Sequence, residues 1–128
     1  MKIKINIKPL TVNAVYVGRR YKTADYRAYR EDVGWQLKGI EKIPGFVEIN
    51  YKFYERYWWG RDVDNMIKPI QDILVKNNII DDDINVIKVI AEKIAIPKEQ
   101  DDFMEIEINP IKNETTKLWK LKKLASQK

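Results

Sequence analysis

The sequence predicts an α+β domain in which two main helices pack on one face of a mixed β-sheet of about four strands. Three of the four strand-like segments alternate apolar and polar residues. Each of these strands therefore has a polar face, which is typical of a sheet that is covered on one side only. Two further segments carry apolar residues at helical spacing, and 128 residues suffice for one domain with its own core.

The first half of the chain predicts two strands and one helix. Residues 2–8 and 47–58 are the strands, and residues 11–22 after the first strand form an irregular basic loop. A helix is expected over residues 23–38, with Thr23 as a plausible N-cap and a glycine directly after its end. The stripe of this helix that should face the core is Tyr26, Tyr29, Val33, Leu37 and Ile40.

The second half predicts one helix and two strands. The helix spans about residues 64–76, and Pro69 requires either that it begins close to Ile67 or that its first turn is distorted. Residues 86–96 are apolar and β-branched, which predicts a well-buried strand, and residues 104–108 alternate as a last strand. The helix should bury Met66, Ile70, Ile73 and Leu74.

The composition excludes several kinds of site. The chain has no cysteine, which excludes disulfides and thiolate zinc sites, and no histidine, which excludes histidine bases and histidine-zinc chemistry. Any catalysis must use carboxylates, lysine, arginine, hydroxyls or a hard metal bound through oxygen. No signal peptide and no apolar run of membrane length is present, so we expect a cytoplasmic protein without membrane association.

The positive charge is concentrated at the end of the chain. We expect a domain over residues 1–110 and a basic tail over residues 111–128 with a weakly amphipathic helical pattern. The tail has six lysines and one glutamate. Its net charge of +5 therefore equals the net charge of the whole chain. Such a tail indicates contact with nucleic acid or another polyanion, or serves only solubility.

Two aspartates one residue apart stand before the second helix. If the backbone is extended there, the carboxylates of Asp62 and Asp64 can both be directed at one point. Mg²⁺ takes oxygen ligands and often uses one or two carboxylates together with substrate phosphate. The alternative is that Asp64 caps the helix and that Asp62 favours its positive end.

A run of three aspartates, residues 81–83, follows the same helix. A helix from Met66 to Asn77 is about 16 Å long, and six extended steps from Asn77 to Asp83 span at most about 20 Å. Asp83 can therefore reach Asp62 and Asp64 only if the chain runs nearly straight back along the helix; otherwise the site would be shared between subunits. The alternative is an Asp-rich turn.

The residues around the acids include a lysine and aromatic side chains. Lys68 lies one helical turn from both Asp64 and Asp72, so it forms either an ion-pair ladder or a group that stabilises charge on a phosphate. Trp58 and Trp59 precede the acids; core packing is expected for at least one of them, and the other could stack on unpaired bases.

Two stretches of this region resemble a known family. R-D-V-D-N-M-I-K-P-I-Q-D-I-L at residues 61–74 and N-I-I-D-D-D-I-N-V at residues 78–86, followed by a strand that reaches E-K, resemble the RusA-type Holliday-junction resolvases of bacteria and their phages. The resemblance covers about residues 1–109. Asn78 stands where the family usually has glycine, Asp81 is an additional aspartate, and the extension after Pro110 has no counterpart.

The resemblance implies a homodimeric, Mg²⁺-dependent endonuclease that cuts four-way DNA junctions symmetrically during recombination and repair. Mn²⁺ would be a substitute, and no small-molecule cofactor is implied. The source would be a bacterium or a prophage. The family's functional residues carry over to Asp62, Asp64, Lys68 and an acidic pair best matched by Asp82 and Asp83.

We therefore expect phosphodiester hydrolysis assisted by a metal. Asp62, Asp64 and Asp83 would hold the metal, Asp82 would assist or orient, and Lys68 would stabilise the developing charge. Two alternatives remain: a catalytically silent DNA-binding module of the same fold, and a nuclease for flaps or other branched DNA. The DNA backbone would be held by the tail together with Arg19, Arg20, Lys22, Arg61 and Lys68.

Overall fold

A computed structural model describes residues 1–12, 16–17 and 21–111, without the side chains of residues 16, 17, 21, 22 and 58. Residues 19 and 20 and the predicted helix of the tail lie outside the described residues. The strands are β1 (Lys2–Ile5), β2 (Tyr16–Val17), β3 (Tyr21–Lys22), β4 (Val47–Glu55), β5 (Val86–Ala95) and β6 (Phe103–Pro110), and the helices are α1 (Ala24–Gln36) and α2 (Ile67–Lys76).

Four strands form the mixed sheet that the sequence predicts. Their order is β1-β6-β4-β5, with β4 parallel to β5 and the other two pairs antiparallel. The buried face of β4 carries Val47, Ile49, Tyr51 and Phe53, and both helices pack on it. The predicted α+β class, with two helices on one face of a four-stranded sheet, is therefore confirmed.

Helix α1 begins and packs as predicted. The hydroxyl of Thr23 accepts a hydrogen bond from the backbone N–H of Tyr26 at 3.0 Å, which is an N-cap. Of the predicted stripe, Tyr26, Tyr29, Val33 and Leu37 are buried, and Ile40 packs against the core half-buried. The predicted loop before α1 is not irregular throughout, because β2 and β3 pair in it as a short antiparallel ladder.

Strand β5 is not the well-buried strand that its apolar sequence predicts. It lies at the edge of the sheet, and Ile87, Val89 and Ile90 are each 41% exposed. A continuous apolar run does not distinguish an interior strand from an edge strand, because the sheet order is decided by contacts far apart in sequence.

Both expectations for the start of α2 are met. A 3₁₀ turn, Val63–Met66, precedes the helix, and the α-helix begins at Ile67. Pro69 is then the third helical residue, where the backbone N–H would have no partner within the helix, so proline costs little. The predicted face, Met66, Ile70, Ile73 and Leu74, is fully buried.

The chain reverses direction directly after α2. Asn78 has a φ of 57°, which lies in the left-handed region, and its N–H donates to the carbonyl of Val75. The N–H of Ile79 then donates to the carbonyl of Leu74 at 2.9 Å, which closes the helix. Asparagine is one of the few residues that tolerates this conformation, so Asn78 does here what a glycine would do.

None of the helices within residues 1–12, 16–17 and 21–111 is long and apolar enough to cross a membrane.

The turn at Asn78 can be tested by its conformational demand. Asn78→Gly should keep the free energy of unfolding or raise it by up to about 1 kcal/mol, and Asn78→Val should lower it by about 1–2 kcal/mol. Urea unfolding of the three proteins measures both effects, and each variant is the control for the other. A valine variant as stable as the parent would contradict the left-handed turn.

Candidate active site

Two acidic turns lie against α2. The first is the 3₁₀ turn that contains Asp64 and follows Asp62, and it leads directly into the helix and contacts β5. The second is a 3₁₀ turn over Asp83–Asn85, which contacts α2 and leads directly into β5. The first turn therefore lies at the N-terminal end of α2, and the second packs against the same helix.

Asp83 returns along α2 as the geometry requires. One carboxylate oxygen, Oδ2, accepts a hydrogen bond from Nζ of Lys68 at 3.0 Å, and Oδ1 accepts from Nε2 of Gln71 at 3.3 Å. From Asn77 back to Lys68 the helix rises about 14 Å, which the following residues must cover. The segment after Asn77 thus returns along α2 within one chain, and the convergence of Asp83 with Asp62 and Asp64 stays a prediction.

Lys68 is held between two carboxylates. Besides Asp83, its Nζ contacts Oδ1 of Asp72 at 2.8 Å, so the predicted ion pair one turn along the helix is present. The hydrogen bonds from Asp72 and then Asp83 raise the pKa of Lys68 well above its usual range. The two carboxylates therefore favour the charged form of Lys68.

Gln71 and Tyr51 support Asp83 from the side of the core. The sequence patterns did not reveal this role for either residue. The hydroxyl of Tyr51, on the buried face of β4, donates to Oε1 of Gln71 at 2.9 Å. Burial, and next the charge of Asp83, raises the pKa of Tyr51 well above its ordinary value, so the hydroxyl stays protonated and can donate. A row of hydrogen bonds thus runs from the core through Gln71 to Asp83. The only available signal was a glutamine next to the buried stripe of α2.

Three carboxylates of the two acidic turns have no partner among the described residues. Asp62, Asp64 and Asp82 are exposed, and in the described part of the chain no side chain or backbone N–H bonds to their carboxylate oxygens. The alternative that Asp64 caps the helix is wrong, since α2 begins after Met66 without a side-chain cap. These acids are available to a ligand.

Asp81 has a different role from the two aspartates that follow it. Its Oδ2 accepts a hydrogen bond from the backbone N–H of Gly45 at 2.8 Å, and its Oδ1 is paired with Lys42. The hydrogen bond from Lys42, and next that from Gly45, lowers the pKa of Asp81. Asp81 therefore fastens the turn to the loop before β4, as the Asp-rich-turn alternative expects, and Asp82 and Asp83 are left as the acidic pair.

The donor chemistry fits a hard divalent cation. Asp62, Asp64 and Asp83 offer carboxylate oxygens, which Mg²⁺ and Mn²⁺ prefer, and the chain has no histidine or cysteine to favour a softer metal. Within the residues described, no three acidic side chains are grouped as a ready-made metal centre. Both oxygens of Asp83 are engaged by Lys68 and Gln71, so metal binding would require Asp83 to exchange at least one of them. The metal role of these aspartates stays a prediction.

Arg61, expected to contact DNA, is used by the protein itself. Its guanidinium pairs with the carboxylate of Glu55, which is 2% exposed, and donates to the carbonyl of Pro9. Its own carbonyl accepts a hydrogen bond from Lys93 at 2.6 Å. These contacts connect β4, the loop after β1 and β5 next to Asp62. Contact between Arg61 and DNA stays a prediction, as it does for Arg19, Arg20 and Lys22.

An open groove lies beside Asp62. It has a volume of about 330 Å³, and its walls are Thr11, Trp59, Gly60, Arg61, Asp62 and Asn65. Trp59 is 64% exposed and packs edge-on against Tyr57 with the ring centroids 5.5 Å apart. Trp59 is therefore outside the core and offers an aromatic surface next to the acids.

No protein-family model matches this sequence, and no curated protein matches it.

The support of Gln71 by Tyr51 predicts a measurable loss of stability. Tyr51→Phe leaves Oε1 of Gln71 without its donor in a half-buried position, so the free energy of unfolding should fall by about 1 kcal/mol. Tyr54→Phe is the matched control, because Tyr54 lies on the opposite face of β4, donates to Glu105 and is only half-buried, whereas Tyr51 is fully buried. Urea unfolding measures both variants. If both lowered the free energy of unfolding equally, the result would argue against a special contribution of the contact between Tyr51 and Gln71.

The ion pair of Arg61 with Glu55 predicts a larger loss of stability when it is broken. Arg61→Met leaves the buried carboxylate of Glu55 unpaired, which should cost about 3 kcal/mol. The double variant Glu55→Gln, Arg61→Met should recover part of this loss, because no buried charge remains. Thermal and urea unfolding measure both. An Arg61→Met protein as stable as the parent would show that the pair is not structural.

Proposed function

We propose that this protein is a metal-dependent endonuclease that cuts branched DNA, with four-way junctions as the substrate that the RusA resemblance implies. One observation carries the proposal: Asp62 and Asp64, exposed and without partners among the described residues, lie at the same end of α2 as a lysine that is held as a cation. Hydrolysis of a phosphodiester by a hard metal needs such carboxylates, and the developing charge needs such a cation.

The side chains would divide the work as follows. Asp62, Asp64 and Asp83 would hold Mg²⁺, or Mn²⁺ in its place, and the bound metal would supply an activated water and neutralise the leaving oxygen. Lys68, freed from Asp83 when that carboxylate turns to the metal, would be directed at the phosphate oxygens, while Asp72 keeps it in position. Asp82 is exposed on the same turn and would assist or orient the attacking water.

DNA would be held mainly through its phosphates. The lysine-rich tail, Arg19, Arg20 and Lys22 would supply the positive charge, so binding should weaken steeply as salt rises. Trp59 stands exposed beside Asp62 and would stack on a base that is unpaired at the branch point. The expected homodimer would match two symmetric cuts, and the protein would act in recombination and repair in a bacterial cytoplasm.

Cleavage of a labelled four-way junction tests the proposal. In Mg²⁺, Asp64→Asn should lower the cleavage rate by more than about 100-fold, since even a residue that only orients a metal ligand is worth about 10–100-fold. Junction binding should survive or tighten, because a negative charge near the phosphates is removed. Asp101→Asn is the matched control and should cleave like the parent, because Asp101 is exposed in the loop before β6 and lies outside both acidic turns.

The outcomes separate the alternatives. Normal cleavage by Asp64→Asn would refute the metal role of that residue. Junction binding without cleavage by the parent protein, with and without Mg²⁺, would identify a silent DNA-binding module. Equal rates on linear duplex, flap and junction would identify a less selective nuclease of the same chemistry.

A further inference from the structure

Strand β5 presents an unusual edge. It has ten residues, contains no proline, and pairs on one side with β4, while no strand of the described chain pairs with its other side. Ile87, Val89 and Ile90 are exposed along it, and Ile84 just before it is 76% exposed. Proteins usually protect such long apolar edges, because the unpaired backbone groups readily join another strand.

A row of charges crosses the sheet on the face opposite the helices. Cross-strand neighbours alternate in sign from the first edge to the last: Lys4 in β1, Glu105 in β6, Lys52 in β4 and Glu92 in β5. The row ends at Glu92, which has no salt bridge among the described residues. A further strand that continued the alternation would place a positive side chain opposite Glu92.

A second copy of β5 supplies that side chain. When two β5 strands pair antiparallel about Ile90, Lys88 of each strand lies opposite Glu92 of the other, and Ile90 lies opposite itself. Lys88 already neighbours Glu48 on β4, at 3.8 Å, so the alternating row would continue into the second sheet. Directly opposite residues in such a pair share one face of the sheet, and opposite charges there are favourable.

The neighbouring registers lack this complementarity. Pairing centred on Lys88 or on Glu92 places like charges opposite each other, and pairing centred between Ile90 and Ala91 places Lys88 opposite Lys93. Pairing centred on Val89 or Ala91 leaves the three charges opposite neutral residues. Exposed ion pairs contribute little energy, so the charges would select the register while backbone hydrogen bonds and apolar contacts supply the affinity.

We propose that the protein forms a two-fold dimer by antiparallel pairing of β5 with β5 of a second copy, centred on Ile90. The result is one eight-stranded sheet. The two-fold axis is perpendicular to this sheet, so the helices and the acidic turns of both copies lie on the same side. Asp83 is seven residues from the centre, so the two copies of Asp83 are at most about 46 Å apart along the strands. The dimer stands independently of the proposed nuclease activity.

Sedimentation velocity of the full chain at several concentrations tests the interface. The parent protein should sediment as a dimer. Ile90→Lys and Ile90→Glu should each be folded and at least about 10-fold weaker in self-association, because like charges meet at the two-fold axis. Inside the chain, residue 90 lies opposite the neutral Asn50 and between Lys88 and Glu92 on its own strand, so each change meets one like and one opposite charge within one sheet.

Mixing the two variants decides the register. An equimolar mixture of Ile90→Lys and Ile90→Glu should regain the dimer, because residue 90 of one copy then meets an opposite charge in the other. Circular dichroism and urea unfolding verify that both variants are folded. A monomeric parent, variants that remain dimeric, or a mixture that stays monomeric would each overturn the proposal.

Discussion

The contact of Asp83 with both Lys68 and Gln71 determines how the second acidic turn lies on α2. Three features of the fold make this contact possible. Asn78 reverses the chain in a left-handed conformation, and the side chains of Ile79 and Ile80 directly after it are buried. Asp81 then fastens the returning segment to Gly45. Without them the two acid clusters would lie at opposite ends of the helix. With them, the second cluster also leads straight into β5.

Residues 81–83 therefore include both carboxylates that the protein holds in place and one that is exposed. Asp81 and Asp83 are engaged by protein groups, whereas Asp82 between them is exposed and has no partner among the described residues. Neighbouring residues on an extended backbone point to opposite sides, which allows this division. Two half-buried hydrogen bonds, from Tyr51 to Gln71 and from Gln71 to Asp83, connect Asp83 to the core of the protein.

Strand β5 links the acidic turns to the proposed dimer. It begins directly after the turn of Asp83 and forms the outer edge of the sheet, so an interface at this edge would set the distance and orientation between two acidic sites. Its exposed apolar residues and its place in the alternating charge row have a common explanation in a second copy of the same strand. A protein that acts symmetrically on DNA would need such an arrangement.

Local sequence patterns determined most of the elements. The alternation in β4 and β6, the cap at Thr23, the start of α2 near Pro69 and its buried face all follow from interactions between residues close in the chain. The spacing of the aspartates also established that Asp83 could return along α2, because chain length alone bounds that distance. Only the tertiary structure decided that β5 is an edge strand, that Asp81 is structural, that Arg61 pairs with Glu55, and that Tyr51 and Gln71 support Asp83. Each of these depends on a partner from a distant or differently oriented segment, and no local pattern specifies which partner a side chain meets.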